Sequence, residues 1–226
     1  MKKGLLLIAL ALLTFPLYQQ AASAQSEDET EKSKATRFEI GAQFSSITLA
    51  PDRTQPGFGG RFTFNFNDHV ALEAELNYFP NDNGITSTER DNGRATQGLF
   101  GVKAGKRFKN FGIFGKARPG FVSFSRGFGN VVITGPPLPG DIFPQSEFRS
   151  RRLTHPALDV GGVLEFYPSR RIVTRFDAGI TILRKGRTTF DGFAAGPGGT
   201  VIVAPLTLPG ATSPNFQFSA GIGYRF

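Results

Sequence analysis

The sequence predicts an all-β fold, a single eight-stranded antiparallel up-and-down transmembrane β-barrel with short periplasmic turns and long extracellular loops. Three observations predict it. The chain opens on an export signal. It then alternates apolar and polar residues with a period of two in eight successive segments. The connections between those segments are short and long by turns. Helix signals are nearly absent, whereas Gly and Phe are heavily used, at 28 and 24 residues.

The first element is MKKGLLLIALALLTFPLYQQAASAQ, in which Lys2 and Lys3 precede an apolar run from about Gly4 to Leu17 that reaches Ala22-Ser23-Ala24. A charged start, a short apolar stretch and a small-residue cleavage site predict a secretory signal over residues 1–24. The run is too short to span a bilayer comfortably as a helix. An exported chain without Cys has no disulfide framework and no thiolate metal site. Setting aside Lys2 and Lys3 leaves 24 basic and 18 acidic residues, a net charge of +6. In an exported protein that surplus points to a phosphate-bearing membrane surface rather than to nucleic acid. Residues 25–37, QSEDETEKSKATR, are polar and mixed in charge and read as a disordered periplasmic tail. The barrel domain then occupies 38–226.

The eight strands follow in order. RFEIGAQFSSITL puts Phe38, Ile40, Ala42 and Phe44 on one parity and Glu39, Gly41 and Gln43 on the other. GFGGRFTFNF sets Phe58, Phe62, Phe64 and Phe66 against Arg61, Thr63 and Asn65. HVALEAELNYF sets Val70, Leu72, Ala74, Leu76 and Tyr78 against Glu73, Glu75 and Asn77. QGLFGVKAGKRF opposes Phe100, Val102, Ala104 and Phe108 to Lys103 and Arg107, and FGIFGKARPGFVSF opposes Ile113, Ala117 and Phe121 to Lys116 and Arg118. Pro119 removes a ladder hydrogen bond, so a bulge or strand end near the outer rim is expected there. ALDVGGVLEFY carries Leu158, Val160, Leu164 and Phe166 against Asp159 and Glu165, and IVTRFDAGITI carries Ile172, Phe176, Ala178 and Ile180 against Arg175 and Asp177. FQFSAGIGYRF closes the series, with Phe216, Phe218, Ala220, Ile222, Tyr224 and Phe226 against Arg225 and small or polar residues. Paired with the first strand, it is tied into a ladder rather than left to fray.

Asn67-Asp68, Lys109-Asn110 and Pro168 to Arg171 make the short turns. The connections after the third, fifth and seventh strands are long, 17, 32 and 33 residues between the segments quoted, the asymmetry of an outer-membrane barrel.

An eight-stranded barrel has an interior just wide enough for side chains to fill. The polar parity supplies six acids, Glu39, Glu73, Glu75, Asp159, Glu165 and Asp177, and seven bases, Arg61, Lys103, Arg107, Lys116, Arg118, Arg175 and Arg225. Charges inside a lumen must pair, because desolvating each costs several kcal/mol, and this near-balance predicts a self-neutralised plug. Lys103 falls opposite Lys116, offset by Glu73 and Glu75, and the register brings Arg118 near Asp159 and Glu165 near Arg175.

With its export signal, eight strands and GIGYRF terminus, the chain resembles small bacterial outer-membrane β-barrels of the OmpA-like and OmpX-like, porin-family type. FGIFGKARPGF and LDVGGVLEFYPSRR are similar to stretches of barrel domains of this size. The resemblance implies that Tyr224 and Phe226 form the signal read by the barrel-assembly machinery. No peptidoglycan-binding domain follows the barrel in this sequence, so cell-wall anchoring is not implied.

The two His residues, His69 and His155, fall at opposite rims, so neither a Ser-His-acid set nor a metal site can be assembled, and no cofactor is expected. GPGG, Gly196 to Gly199, lacks a following Lys and helix and reads as loop. Loops three and four each carry a β-branched run, Val131 to Thr134 and Thr200 to Val203, punctuated by Pro and Gly. These runs extend strands or form a capping hairpin, an apolar contact surface, or a constriction. Arg149, Arg151 and Arg152 lead into the sixth strand, and Arg184, Lys185 and Arg187 leave the seventh. Both clusters are expected at the extracellular rim, where Arg suits lipopolysaccharide phosphate. The expectation is a monomeric, non-enzymatic outer-membrane protein with a charge-plugged lumen and a structural or surface-contact role. Its alternatives are a narrow porin-like channel for small solutes and, third, a soluble periplasmic lipocalin-like binder.

Overall fold

A computed structural model describes residues 37–49, 53–81, 91–127, 129–141, 143–197 and 200–226. The expected signal, nearly all of the tail and part of GPGG lie outside the described residues. In chain order the strands are β1 Phe38–Leu49, β2 Arg53–Asn65, β3 Val70–Phe79, β4 Asp91–Arg107, β5 Phe111–Gly127, β6 Asn130–Gly135, β7 Gln145–Arg149, β8 Leu153–Phe166, β9 Ile172–Lys185, β10 Thr188–Ala195, β11 Val201–Leu208 and β12 Ala211–Arg225. Eight of them close one barrel in the order β1-β12-β9-β8-β5-β4-β3-β2. Every barrel pairing is antiparallel.

Side-chain alternation decides the wall's two faces. Phe44, Phe58, Leu76, Phe100, Ile113, Phe216 and Ile222 point outward and are 53–60% exposed. Their polar neighbours point inward, including Glu39, Arg118, Asp159 and Arg175, each fully buried. This orientation is the reverse of a soluble lipocalin-like barrel. Aromatic rings ring the short-turn rim on the outside: Phe38 stacks on Phe226 at 5.9 Å, Phe64 meets Phe66 at 5.0 Å, and Phe108 stacks on Phe111 at 4.6 Å. Rings at a membrane interface anchor a barrel's height in the bilayer.

The short turns are held by local side chains. Asn67 Oδ1 accepts from the backbone N–H groups of His69 and Val70, both at 2.8 Å, and Ser169 Oγ accepts from Ile172 N at 3.1 Å. Such contacts satisfy backbone donors that no strand partner reaches. β12 joins β1 in nine register pairs from Glu39↔Arg225 to Ile47↔Gln217. Phe226 N donates to Phe38 O at 3.0 Å, and Phe38 N donates back to Phe226 O at 3.3 Å.

Two features differ from the sequence reading. Pro119 lies mid-strand, facing outward, with the β5–β8 register unbroken at Pro119↔Leu158. On the β4 side, Leu99↔Gly120 and Val102↔Ala117 share one register across the gap. Continuous pairing with β8, and a β4 register that resumes unshifted beyond the gap, hold the strand in line, so the bulge expected at Pro119 does not form. The bulge lies instead between Asn92 and Ala95 of β4, a strand that begins six residues before the segment read from sequence. The third and fourth loops each fold into a two-stranded hairpin, β6–β7 and β10–β11. The hairpins touch through Phe143 and Phe193, with ring centroids 5.6 Å apart.

Candidate functional site

The lumen is the largest concentration of buried polar chemistry in the molecule, and it is filled in layers. Nearest the short turns, Arg225 Nε donates to Glu39 Oε2 at 3.3 Å and Arg61 Nη2 to Glu39 Oε1 at 3.2 Å. Arg225 also stands over the Tyr167 ring at 4.2 Å. The Tyr167 hydroxyl donates to Glu165 Oε2 at 2.9 Å and accepts from Arg107 Nε at 3.0 Å. Tyr167 lies just past the end of β8, where burial and the adjacent Glu165 carboxylate push its phenol up to about 12.

Above this, Arg175 ties three acids together. It donates through Nη1 and Nη2 to Glu73, through Nε and Nη2 to Asp177 at 2.7 Å, and lies 3.7 Å from Glu165. Lys103 bonds Glu165 and lies 3.4 Å from Glu73. Arg118 donates to Glu75 Oε2 at 2.6 Å and, through Nη2 and Nε, to the single oxygen Asp159 Oδ2 at 2.7 and 2.9 Å. Lys116 bridges Asp159 at 3.1 Å and Asp177 at 3.3 Å. Lys103↔Lys116 is a direct register pair, yet each ammonium turns toward carboxylates on other strands. Among the described residues, all thirteen charges read from the polar parity lie inward, and each stands within 4 Å of an opposite charge. Buried atoms without a hydrogen-bond partner in this region are Arg61 Nε and Arg107 Nη1.

An amide layer follows toward the long loops. Gln97 and Gln217 exchange hydrogen bonds at 2.9 and 3.0 Å, and Asn77 links Gln43 at 2.9 Å to Gln97 at 2.8 Å. Ser45 and Ser219 meet at 2.9 Å across the β1–β12 seam. Beyond the amides the filling becomes apolar: Ile47, Phe79, Ala95, Val122, Phe124, Ala157 and Leu183 form one buried cluster. Sequence reasoning missed this layer, although Phe79 continues the parity of Glu73, Glu75 and Asn77.

Volume is balanced across strand pairs. Arg61 is opposite Gly41, Glu73 opposite Gly101, Lys116 opposite Gly161, Glu165 opposite Gly112 and Arg175 opposite Gly221. A Cβ on Gly41 would stand 3.3 Å from Arg61 Nη2, and one on Gly59 would collide with Asn77 Oδ1. An alternation of large and small inward residues lets eight strands enclose long side chains without swelling.

The remaining residues singled out from sequence lie on the rims. Tyr224 and Phe226 face outward, 45% and 61% exposed, and Arg171 Nη1 donates to the Tyr224 hydroxyl at 3.2 Å. Arg149 lies on β7, 3.5 Å from Glu147. Arg151 and Arg152 are exposed just before β8, and Arg184 and Lys185 end β9, with Arg184 in register with Thr212 of β12. Arg187 is exposed in the turn into β10. Arg152 shares a surface groove with Arg94 of β4, a residue that sequence reasoning did not select. His69 is exposed at the short-turn rim and its Nδ1 lies 3.0 Å from Gly105 O, whereas His155 is buried beside Phe124 near the other rim.

None of the curated proteins matches the sequence. Among solved structures, the N-terminal β-barrel domain of Pseudomonas aeruginosa OprF is 10% identical, with a TM-score of 0.41, covering 85% of this chain and 99% of its own. Neisserial surface protein A is 14% identical, with a TM-score of 0.43 and coverage of 84% and 96%. The Yersinia pestis attachment invasion locus protein, Ail, is 18% identical, with a TM-score of 0.40 and coverage of 87% and 100%. An outer-membrane family model accounts for residues 7–226, in keeping with the apolar outer wall and closed strand ladder. This chain therefore belongs to the outer membrane protein beta-barrel domain family and resides in the outer membrane of a Gram-negative-type cell.

Proposed function

We propose that the protein is a non-enzymatic, non-conducting outer-membrane barrel that acts through its extracellular rim and loop hairpins. The observation that carries this reading is the continuity of the lumen filling: paired charges, then amides, then a buried apolar cluster. An ion entering from the long-loop rim meets apolar side chains, and one entering from the short-turn rim meets charges already paired. The short turns face the periplasm and the long loops face outward, so the apolar cluster seals the outer side.

On this reading the barrel is a rigid pedestal. Its charge network ties strands that are distant in the ladder, and its closed edge needs no second copy to cover it, which favours a monomer. Outer-membrane lipid covers the outward apolar band. Arg149, Arg151, Arg152, Arg184, Lys185 and Arg187 meet lipopolysaccharide phosphates at the rim, where guanidinium forks match phosphate oxygens. Tyr224 and Phe226 present the outward face of the last strand to the assembly machinery before closure.

Conductance of the refolded mature protein in a planar bilayer tests the closed lumen. Insertion without current is the expected result. Stable, reproducible current steps would replace it with the narrow-channel reading.

A further inference from the structure

We propose that a groove on the outer wall, at the long-loop rim between β3, β4, β5 and β8, binds a lipid-borne phosphate. This rests on the rim-contact reading above and gives it a place. The cavity measures about 490 Å3. Its floor is a straight row of register partners across four strands, Tyr78↔Thr96, Thr96↔Ser123 and Ser123↔Thr154. Arg94 and Arg152 stand on either side, and Ser125 lies above the row.

The groove is built of donors. Thr154 Oγ1 donates to Ser123 Oγ at 3.0 Å, and the Arg94 backbone N–H donates to Ser125 Oγ at 2.9 Å. Each serine is the acceptor in its bond, so that bond does not use the serine's own hydroxyl hydrogen. Two exposed guanidiniums add charge, and no carboxylate is among the described residues lining the groove. Guanidinium forks with hydroxyl donors and no acidic competitor select a tetrahedral oxyanion.

A β-bulge sets this geometry. Asn92↔Arg126 and Ala95↔Phe124 leave Gly93 and Arg94 together opposite Ser125. Gly93 has φ of 81°, the left-handed conformation that Gly supplies in this bulge type. A Cβ there would collide with Ser125 Oγ, so Gly93 lets the serine reach the Arg94 amide.

The position of the groove favours a lipid over a free anion. Phe121 lines its lower side, its ring lying over Gly98. The wall below continues as outward Phe100 and Leu158, 58% and 40% exposed. A headgroup in the groove would leave its acyl chains on that apolar wall.

The test measures binding of phosphorylated lipid A, fully dephosphorylated lipid A and inorganic phosphate to the refolded full barrel in nanodiscs. Arg94→Gln with Arg152→Gln should weaken phosphorylated lipid A binding by about tenfold or more, the equivalent of one charge-assisted hydrogen bond. Ser123→Ala with Ser125→Ala should weaken it about threefold. Arg184→Gln with Arg187→Gln, which removes rim contacts outside the groove, should weaken it less than the Arg94 and Arg152 change does, by about two- to threefold. Equal binding of the dephosphorylated lipid would overturn the phosphate assignment, and displacement by inorganic phosphate would overturn the lipid assignment. Loss confined to the Arg184 and Arg187 variant would remove the groove while leaving rim contact standing. Unchanged binding in every variant would remove both. Heat-dependent gel mobility confirms that each variant is folded, and silence in the conductance assay is independent of all these outcomes.

Discussion

Replacing Arg175 by Gln separates local pairing from overall charge balance as the source of lumen stability. The lumen holds six acids and seven bases, so losing one base brings its tally to zero. On balance alone the variant should be as stable as the parent, or more so. Local geometry gives the opposite answer. Arg175 is fully buried and bonds both Glu73 and Asp177. Without it, Glu73 retains Lys103 and Arg118, each at 3.4 Å, and Asp177 retains Lys116 at 3.3 Å. Removing one member of a buried ionic set costs about 3–5 kcal/mol, because the partner charge stays desolvated. Arg107→Gln changes the tally identically, but Arg107 meets Glu165 at 3.6 Å and already leaves Nη1 unbonded. Losing its bond to Tyr167 and its contacts with two rings costs about 1–2 kcal/mol. Urea unfolding in lipid vesicles, read by heat-modifiable gel mobility, should place the two variants about 1–4 kcal/mol apart, with Arg175→Gln the less stable. Adding Asp177→Asn should recover a large part of the Arg175→Gln loss. Equal destabilisation by the two single variants would refute the reasoning.

Three further outcomes are expected. Phe124→Ala, in the apolar layer, should cost about 3–5 kcal/mol, whereas Phe121→Ala on the lipid face should cost less than half of that in the same vesicle assay. Gly93→Ala forces a side chain into a left-handed backbone against Ser125 and should destabilise by about 1–3 kcal/mol, measured in the same way. The third outcome concerns pH. Below about 10 the Tyr167 phenol is protonated in both folded and unfolded chains. As pH rises from there toward about 12, the unfolded chain releases that proton first, so stability falls across this window. Tyr167→Phe should remove that fall and delete a tyrosine ionisation near pH 12 from the absorbance at 295 nm.

Much of the wall was legible from sequence because its two solvents differ so sharply. Lipid outside and paired charge inside make residues such as Phe100 and Lys103 unmistakable as opposite faces. The apolar lumen layer was less visible, since Ile47, Val122 and Phe124 share the inward parity but look outward by hydrophobicity alone. The signal lay in position along one parity: Phe79 beyond Glu73, Glu75 and Asn77, Ile47 beyond Glu39 and Gln43, and Val122 and Phe124 beyond Lys116 and Arg118. Arg94 was hidden for another reason. The bulge at Gly93 changes the β4–β5 register, and no pattern of period two announces a one-residue insertion. Pro119 misled in the opposite direction: the gap it leaves in the β4 ladder was outweighed by unbroken pairing with β8 and an unshifted β4 register. Individual ion pairs, such as Lys116 with Asp159 and Asp177, depend on side chains reaching across the bore, and a ladder register cannot supply that distance.

The glycine opposite Arg61 carries a consequence for how this interior changes over generations. Gly41 and Arg61 share one volume divided unequally, because a Cβ on Gly41 would stand 3.3 Å from Arg61 Nη2, whereas the space at Gly161 and Gly221 is taken by the backbone of Ala178 and Ala42. A larger residue at the glycine site finds its space occupied, and a smaller one at the arginine site leaves a buried hole beside an already empty neighbour. Either step alone is expected to cost stability, so a tolerated change at Gly41 and Arg61 is expected to alter both residues together. Inheritance at this place in the barrel then proceeds by a couple spanning two strands, while each outward residue, which borders only fluid lipid, drifts by itself.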